Sequence, residues 1–255
     1  MTSKSKKRAA KRAASKAIAK NGSNQPQGDD EANSSNPQSS PRLRLAVFDL
    51  DYTIWKPEMY QLHGAPKLTA ICDSKNRRLT PAVLEEAKTK KDGYILTDRT
   101  HTPMQVFKGA SHALREIGKL KEIGYDIQAA VASKTDVESY AKICMDNLVI
   151  DDEGTRLISC FENGKLVEIA YGSKTGHLKK LHRKTGIPFD EMAFFDNEYG
   201  NIRSVSSLGV KCYYTPRGMT HEAWEKAKEE FGIDTNALEL SESGEEQRQA
   251  AVPCF

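Results

Sequence analysis

The sequence predicts an α/β protein built on a doubly wound parallel sheet, with a minimal cap or hairpin insertion after strand one. Three observations carry this expectation. From residue 110 onward, short apolar runs alternate with stretches whose apolar residues recur at helical spacing. The first apolar run, Leu43-Arg44-Leu45-Ala46-Val47-Phe48, drives directly into Asp49 and Asp51. Residues 52–109 lack the alternation and are punctuated by Pro57, Pro66, Pro81 and Pro103.

Strand one is expected at about 43–49. A short continuous apolar run of this kind suits a strand buried on both faces of a parallel sheet. Within 52–109, Thr80-Pro81 opens one short helix with Pro in its first turn, and Lys91-Asp92-Gly93 signals a turn. This region reads as an extended loop and hairpin over the strand ends. Ala113, Leu114, Ile117, Leu120 and Ile123 then mark a helix that Gly124 ends. A strand at 127–132 and a helix at 137–148 follow. Arg156 to Phe161 reads as a strand before a Glu162-Asn163-Gly164 turn. Further elements are a helix at 174–185, a strand at 192–195, a helix at 197–208, a strand at 210–214 and a helix at 221–231.

Composition divides the chain unevenly. The 255 residues carry a formal charge of +3. Residues 1–20 alone hold eight Lys and Arg and no acid, so the remainder carries +3 less +8, or −5. Residues 1–41 read as a basic arm and a flexible Asn-, Ser-, Gln- and Pro-rich linker. Residues 42–232 form the folded domain, and 233–255 a polar, acidic tail. The arm suits nucleic acid or an import receptor. No apolar run reaches the roughly 20 residues of a membrane span, and the expected compartment is the cytoplasm or the nucleus. The five cysteines have no metal-site spacing and read as small apolar residues of a reducing compartment.

Buried strands do not normally end in two carboxylates, because desolvating them is costly. A metal or phosphate site explains them, and ligands of open α/β sheets bind at the carboxyl ends of strands. Three later polar residues also fall at expected strand ends or helix starts: Ser133 after Ala129-Ala130-Val131-Ala132, Lys174 in Gly172-Ser173-Lys174, and Asp196 after Met192-Ala193-Phe194-Phe195. Asp151-Asp152 reads as a solvated turn. His177 and His182 read as a polar helix face.

Asp49-Leu50-Asp51-Tyr52-Thr53, Ser133, Lys174 and Asp196 together resemble the four motifs of the haloacid dehalogenase-like (HAD) superfamily, over about residues 43–220. The local sequence is similar to its magnesium-dependent, eukaryotic acid phosphatase-like branch. The resemblance implies a Rossmann-like HAD core with little cap, and a phosphatase that works through an aspartyl-phosphate. It implies Asp49 as nucleophile, Asp51 as acid and base, Ser133 and Lys174 as phosphate-binding groups, and Lys174 as catalytic. It implies Mg²⁺ held by Asp49, Asp196 and the Asp51 backbone carbonyl. Where the branch usually has a second Asp, this chain has Asn197, which takes a charge from beside the metal. Asn201 and Arg203 follow on the same helix, as supporting or surface residues.

The resemblance implies phosphomonoester substrates, phosphotyrosine or sugar phosphates foremost, on a small molecule or a phosphoprotein. Trp55, Met59, Tyr60 and His63 are candidate substrate contacts, with a plain core residue as the alternative for Trp55. The alternative is a non-catalytic regulatory or nucleic-acid-binding protein that uses the basic arm.

Overall fold

Parity along the first strand sets the layering of the whole domain. The computed structural model describes residues 41–73 and 79–233. Apart from residues 41 and 233 themselves, the basic arm and the acidic tail lie outside them. Strand β1 (Leu45–Phe48) leads into an insertion of β2 (Trp55–Lys56), β3 (Lys67–Ala70), helix α1 (Pro81–Glu86), β4 (Tyr94–Thr97) and β5 (Gln105–Val106). Helix α2 (Lys108–Glu122), β6 (Gln128–Ser133), α3 (Glu138–Asn147), β7 (Val167–Ile169) and α4 (Lys174–Thr185) come next. The domain closes with β8 (Met192–Asp196), α5 (Tyr199–Ser206), β9 (Lys211–Tyr214) and α6 (His221–Glu230).

The main sheet has five strands in the order β7-β6-β1-β8-β9, every pair parallel. Ala46, Phe48 and Leu50 face one layer, where they join buried residues of α2, α3 and α6 such as Leu114, Cys144 and Trp224. Leu45 and Val47 face the other, against Leu178 and Leu181 of α4 and Val205 of α5. The same parity sends Asp49 to the α4 side. It does the same for Asp196, which continues the series Met192, Phe194 of β8. This is the expected doubly wound α/β architecture.

The insertion is small. β3 and β4 pair as an antiparallel hairpin, and β2 pairs with β5. Asp98, buried just past β4, fastens it by accepting the backbone N–H groups of His63, Thr100 and Thr102 at 2.8–2.9 Å. Those bonds hold its carboxyl below the ordinary carboxylate range despite the opposing effect of burial. Among the described residues, no helix is long and apolar enough to cross a membrane.

One expected strand is not a strand. Arg156 to Phe161 enters a 3-10 segment, Leu157–Gly164, that buries Leu157 and Phe161 four residues apart. The chain then reverses through left-handed Glu162 and Asn163. The sheet edge is formed instead by β7, whose central Glu168 interrupts the apolar signal. Lys184 and Lys180 pair with Glu168 at 2.6 and 3.4 Å, which makes its burial tolerable. His177 also departs from expectation. It is buried against the core side of α4, and among the described residues its Nδ1 has no hydrogen-bond partner. Burial and the nearby Lys174 and Lys180 lower its proton affinity.

Helices α2 and α6 approach closely. A Cβ built on Gly109 would lie 2.4 Å from the Thr220 Cα. Below that contact, Glu116 accepts from the Trp224 indole at 2.5 Å and from Lys228 at 2.6 Å. Gly109→Ala therefore has to part the helices, at a cost of about 1–3 kcal/mol. A thermal melt should show the transition lowered by several degrees, about 2–4 °C per kcal/mol for a domain of this size. An unchanged melt would contradict the close approach.

Candidate active site

β1 and β8 run side by side in parallel, with Phe48 opposite Phe195. The next residue on each strand is an aspartate. Asp49 N–H donates to the Phe195 carbonyl at 2.9 Å, so the register holds to the strand ends. Both carboxylates turn toward α4. Asp196 is fully buried and Asp49 only 6% exposed.

Lys174 reaches them from the first turn of α4. Ser173 caps that helix, its hydroxyl accepting from Gly176 N–H at 3.1 Å. The cap makes 174 the first helical residue and points its side chain back over the sheet. Two hydrogen bonds and a further ion pair hold its ammonium. Lys174 Nζ donates to Asp49 Oδ1, lies 3.1 Å from Asp196 Oδ2, and donates to the Ala132 carbonyl of β6 at 2.8 Å. Burial opposes the ammonium charge, and the two carboxylates outweigh it, so its proton affinity rises.

Asp196 accepts from two further groups: Glu198 N–H at 2.7 Å, and the Asn201 amide nitrogen, which lies 3.1 and 3.0 Å from its two oxygens. Its carboxyl is nonetheless raised from 3.8 to about 6, because burial outweighs Lys174 and the donors. Two buried carboxylates therefore share one ammonium. The donor set is hard oxygen with a residual negative charge, and that chemistry fits a small divalent cation.

The chain turns sharply after Asp49. Tyr52 takes a left-handed φ of 53°, and Ile54 N–H closes back on the Leu50 carbonyl at 2.8 Å. The turn delivers Trp55 and Met59 to Asp51. The Trp55 indole donates to one carboxylate oxygen at 2.8 Å and Met59 N–H to the other at 2.9 Å. Burial pushes the Asp51 carboxyl up from 3.8 to about 6 against those two bonds.

Thr53 joins the two acidic loops. Its hydroxyl accepts Asn197 N–H at 3.1 Å, and its carbonyl accepts Met219 N–H at 3.0 Å. Asn197 thus contributes its backbone, while Asn201 is the amide on Asp196. Ser133 ends β6 one residue past Ala132 and is buried. Its hydroxyl makes no hydrogen bond among the described residues. Trp55 and Met59 are buried supports of Asp51. Tyr60 is exposed, and so is the His63 side chain. Asn201 takes the supporting one of its two expected readings. Trp55 and Met59, expected as substrate contacts, instead donate to Asp51, and the hydrogen bonds of Thr53 were not readable from spacing.

A parallel α/β sheet with acids closing two adjacent central strands, and a buried lysine bridging them, defines the HAD-like phosphatase class. The acid phosphatase family profile matches residues 41–232. Over 188 residues the chain is 31% identical to Magnesium-dependent phosphatase 1 of Homo sapiens, spanning 74% of this chain and 86% of that protein. It is 29% identical over 167 residues to a HAD-like hydrolase superfamily protein of Schizosaccharomyces pombe, spanning 66% of this chain and 82% of that one. Among solved structures, a haloacid dehalogenase-like family hydrolase from Xanthomonas campestris aligns at a TM-score of 0.42 and 16% identity, over 71% of this chain and 86% of that one. The chain belongs to the acid phosphatase family and is a phosphatase.

Removing the ammonium exposes the electrostatics of the cluster. Lys174→Met leaves Asp49 and Asp196 buried side by side without a counter-charge, and breaking such a pair costs ~3–5 kcal/mol. The sign with pH follows from the raised carboxyl. A carboxyl that titrates at about 6 when folded and near 3.8 when unfolded binds more protons in the native state between those values. Its stability contribution is complete below 3.8 and is lost as pH rises through 6. Without Lys174 that window widens upward. Denaturant melts without added metal should show the variant's deficit larger at pH 8 than at pH 5. An equal deficit at both would contradict the charge-sharing account.

Proposed function

We propose that the chain hydrolyses phosphate monoesters through an aspartyl-phosphate on Asp49, with Mg²⁺. The observation that carries the reading is the buried cluster Asp49–Lys174–Asp196 at the carboxyl ends of β1 and β8. The similarity to a protein named Magnesium-dependent phosphatase 1 supports the choice of ion. Asp49, Asp196 and the Asp51 carbonyl would hold Mg²⁺. The bound ion supplies the charge neutralisation that lets a carboxylate approach an anionic ester. Asn197, in place of the acid usual for this branch, leaves that neighbourhood one charge less negative.

The residues divide the work as follows. An Asp49 oxygen bonds to phosphorus as the ester P–O bond breaks. Asp51 gives its proton to the departing oxygen, and its raised carboxyl keeps that proton available near neutrality. Ser133 donates its unused hydroxyl proton to a phosphoryl oxygen. Lys174 stabilises the charge gathering on the phosphoryl group, which its burial strengthens. Water then bonds to phosphorus, Asp51 takes a proton from it, and the Asp49–phosphorus bond breaks. Phosphotyrosine and sugar phosphates are the substrates we place first.

The two jobs of Asp51 are separable. A nitrophenolate leaves as a stable anion and hardly needs a proton, whereas an alkoxide needs one. The second step makes the same demand for every substrate. Asp51→Asn should therefore accumulate phosphorylated enzyme from an aryl phosphate, seen by rapid quench and intact mass. Turnover of an alkyl phosphate should fall further, each loss being on the scale of about 10²–10⁴-fold. Asp49→Asn should form no phosphoenzyme at all. Equal slowing of aryl and alkyl phosphates with no trapped adduct would refute the assignment of Asp51, and full turnover in excess EDTA would refute the metal.

A further inference from the structure

Helices α2 and α6 carry the same pattern where they pack together. α2 has His112 and Glu116 one turn apart, and α6 has His221 and Glu225 one turn apart. The His112 and His221 rings stack, with centroids 4.2 Å apart. His112 Nε2 lies 3.6 Å from Glu116 Oε1 and 3.5 Å from Glu225 Oε1. His112, Glu116 and Glu225 each offer one atom within 4.8 Å of the others. Both helices cover the sheet face of Ala46 and Phe48, whereas Asp49 and Asp196 turn to the α4 face. The cluster therefore shares no residue with the catalytic site.

The separations fit coordination better than hydrogen bonding. Both exceed the about 2.7–3.2 Å of a well-formed N–H···O bond. With bonds of about 2.0–2.2 Å from a metal to nitrogen and oxygen, the ligand atoms of a tetrahedral ion stand about 3.3–3.6 Å apart. The carboxylates are also steadied from behind. Glu116 Oε2 accepts from the buried Trp224 indole at 2.5 Å and from buried Lys228 at 2.6 Å, which leaves Oε1 toward the imidazole. Lys228 Nζ lies 2.8 Å from Glu225 Oε1 as well. Such supporting donors orient the carboxylates of metal sites. One ammonium against two carboxylates leaves a negative charge facing a ring nitrogen. The close approach of Gly109 to Thr220 fixes the helix spacing. Glu225 is exposed, and His112 and Glu116 line a cleft along α2, so an ion has a path from solvent.

We propose that His112, Glu116 and Glu225 bind a divalent transition ion of the Zn²⁺ kind, with water in the fourth position. The imidazole selects against Mg²⁺ and Ca²⁺, which prefer oxygen throughout. His221 stacks on the liganding ring and holds its plane. An ion in this place ties α2 to α6 across their packing contact.

The test titrates the full chain with Co²⁺, a visible stand-in for Zn²⁺, in excess Mg²⁺. One saturable site should appear with the intense absorption of four-coordinate cobalt, and Zn²⁺ should displace it. His112→Gln and Glu225→Gln should each weaken binding about tenfold or more, the least that removing a ligand should cost when disturbing its support costs about 10–100-fold. Both variants keep side-chain bulk at partly exposed positions, and either one alone decides the question. Glu229→Gln, on the exposed side of α6, and Asp196→Asn, at the catalytic cluster, should keep the wild-type affinity and spectrum. Absence of the four-coordinate band would overturn the proposal. So would a band that survives both ligand variants, or one that Asp196→Asn removes.

Discussion

One buried ammonium organises the site. Lys174 donates to Asp49 and to the Ala132 carbonyl and ion-pairs with Asp196, and so ties β1, β8 and β6 together at their carboxyl ends. The arrangement is affordable only because everything around it cooperates. The Ser173 cap sets where α4 begins, the strand parity brings both aspartates to the α4 face, and the Asn201 amide supports Asp196 from the opposite side. Two carboxylates exceed one ammonium, and the proposed Mg²⁺ would offset that excess of negative charge.

Much of this was legible in the sequence. The acids at 49, 51 and 196 stood at the ends of apolar runs, where burying them has no structural benefit. Lys174 stood at the start of an expected helix. The helix at 174–185 begins and ends as the periodicity predicts, with left-handed Gly186 closing it. What stayed hidden has physical reasons. β7 has three residues with a glutamate in the middle, so neither length nor hydrophobicity announced it. Arg156–Phe161 carried an apolar run, yet its buried members are Leu157 and Phe161, a helical spacing. His177 resembled its polar neighbours on α4, and only the packing reveals it as a core residue. Thr53, Trp55 and Met59 act through tertiary hydrogen bonds, which spacing in one chain cannot express.

The turn after β1 links the chemistry to the surface. Asp51 is held by Trp55 and Met59, and Met59 begins the turn that exposes Tyr60. The insertion that follows is a hairpin and one short helix, fastened through Asp98. Burial there raises the Asp51 carboxyl, so the fold that positions this residue also tunes its proton affinity. In the same way, β9 carries Tyr213 into the core beside Phe195 and leaves Tyr214 outside beside Tyr199. One strand thus serves the packing and the rim at once.

The central claim is that Asp49, Asp196 and the Asp51 carbonyl hold one Mg²⁺ beside Lys174. Isothermal titration of the full chain with Mg²⁺, without substrate and near neutral pH, tests it most directly. The account predicts a single saturable site that Asp196→Asn abolishes or greatly weakens, and that raises the melting temperature of the wild-type chain as it fills. Absence of binding, or binding that survives Asp196→Asn undiminished, would contradict it.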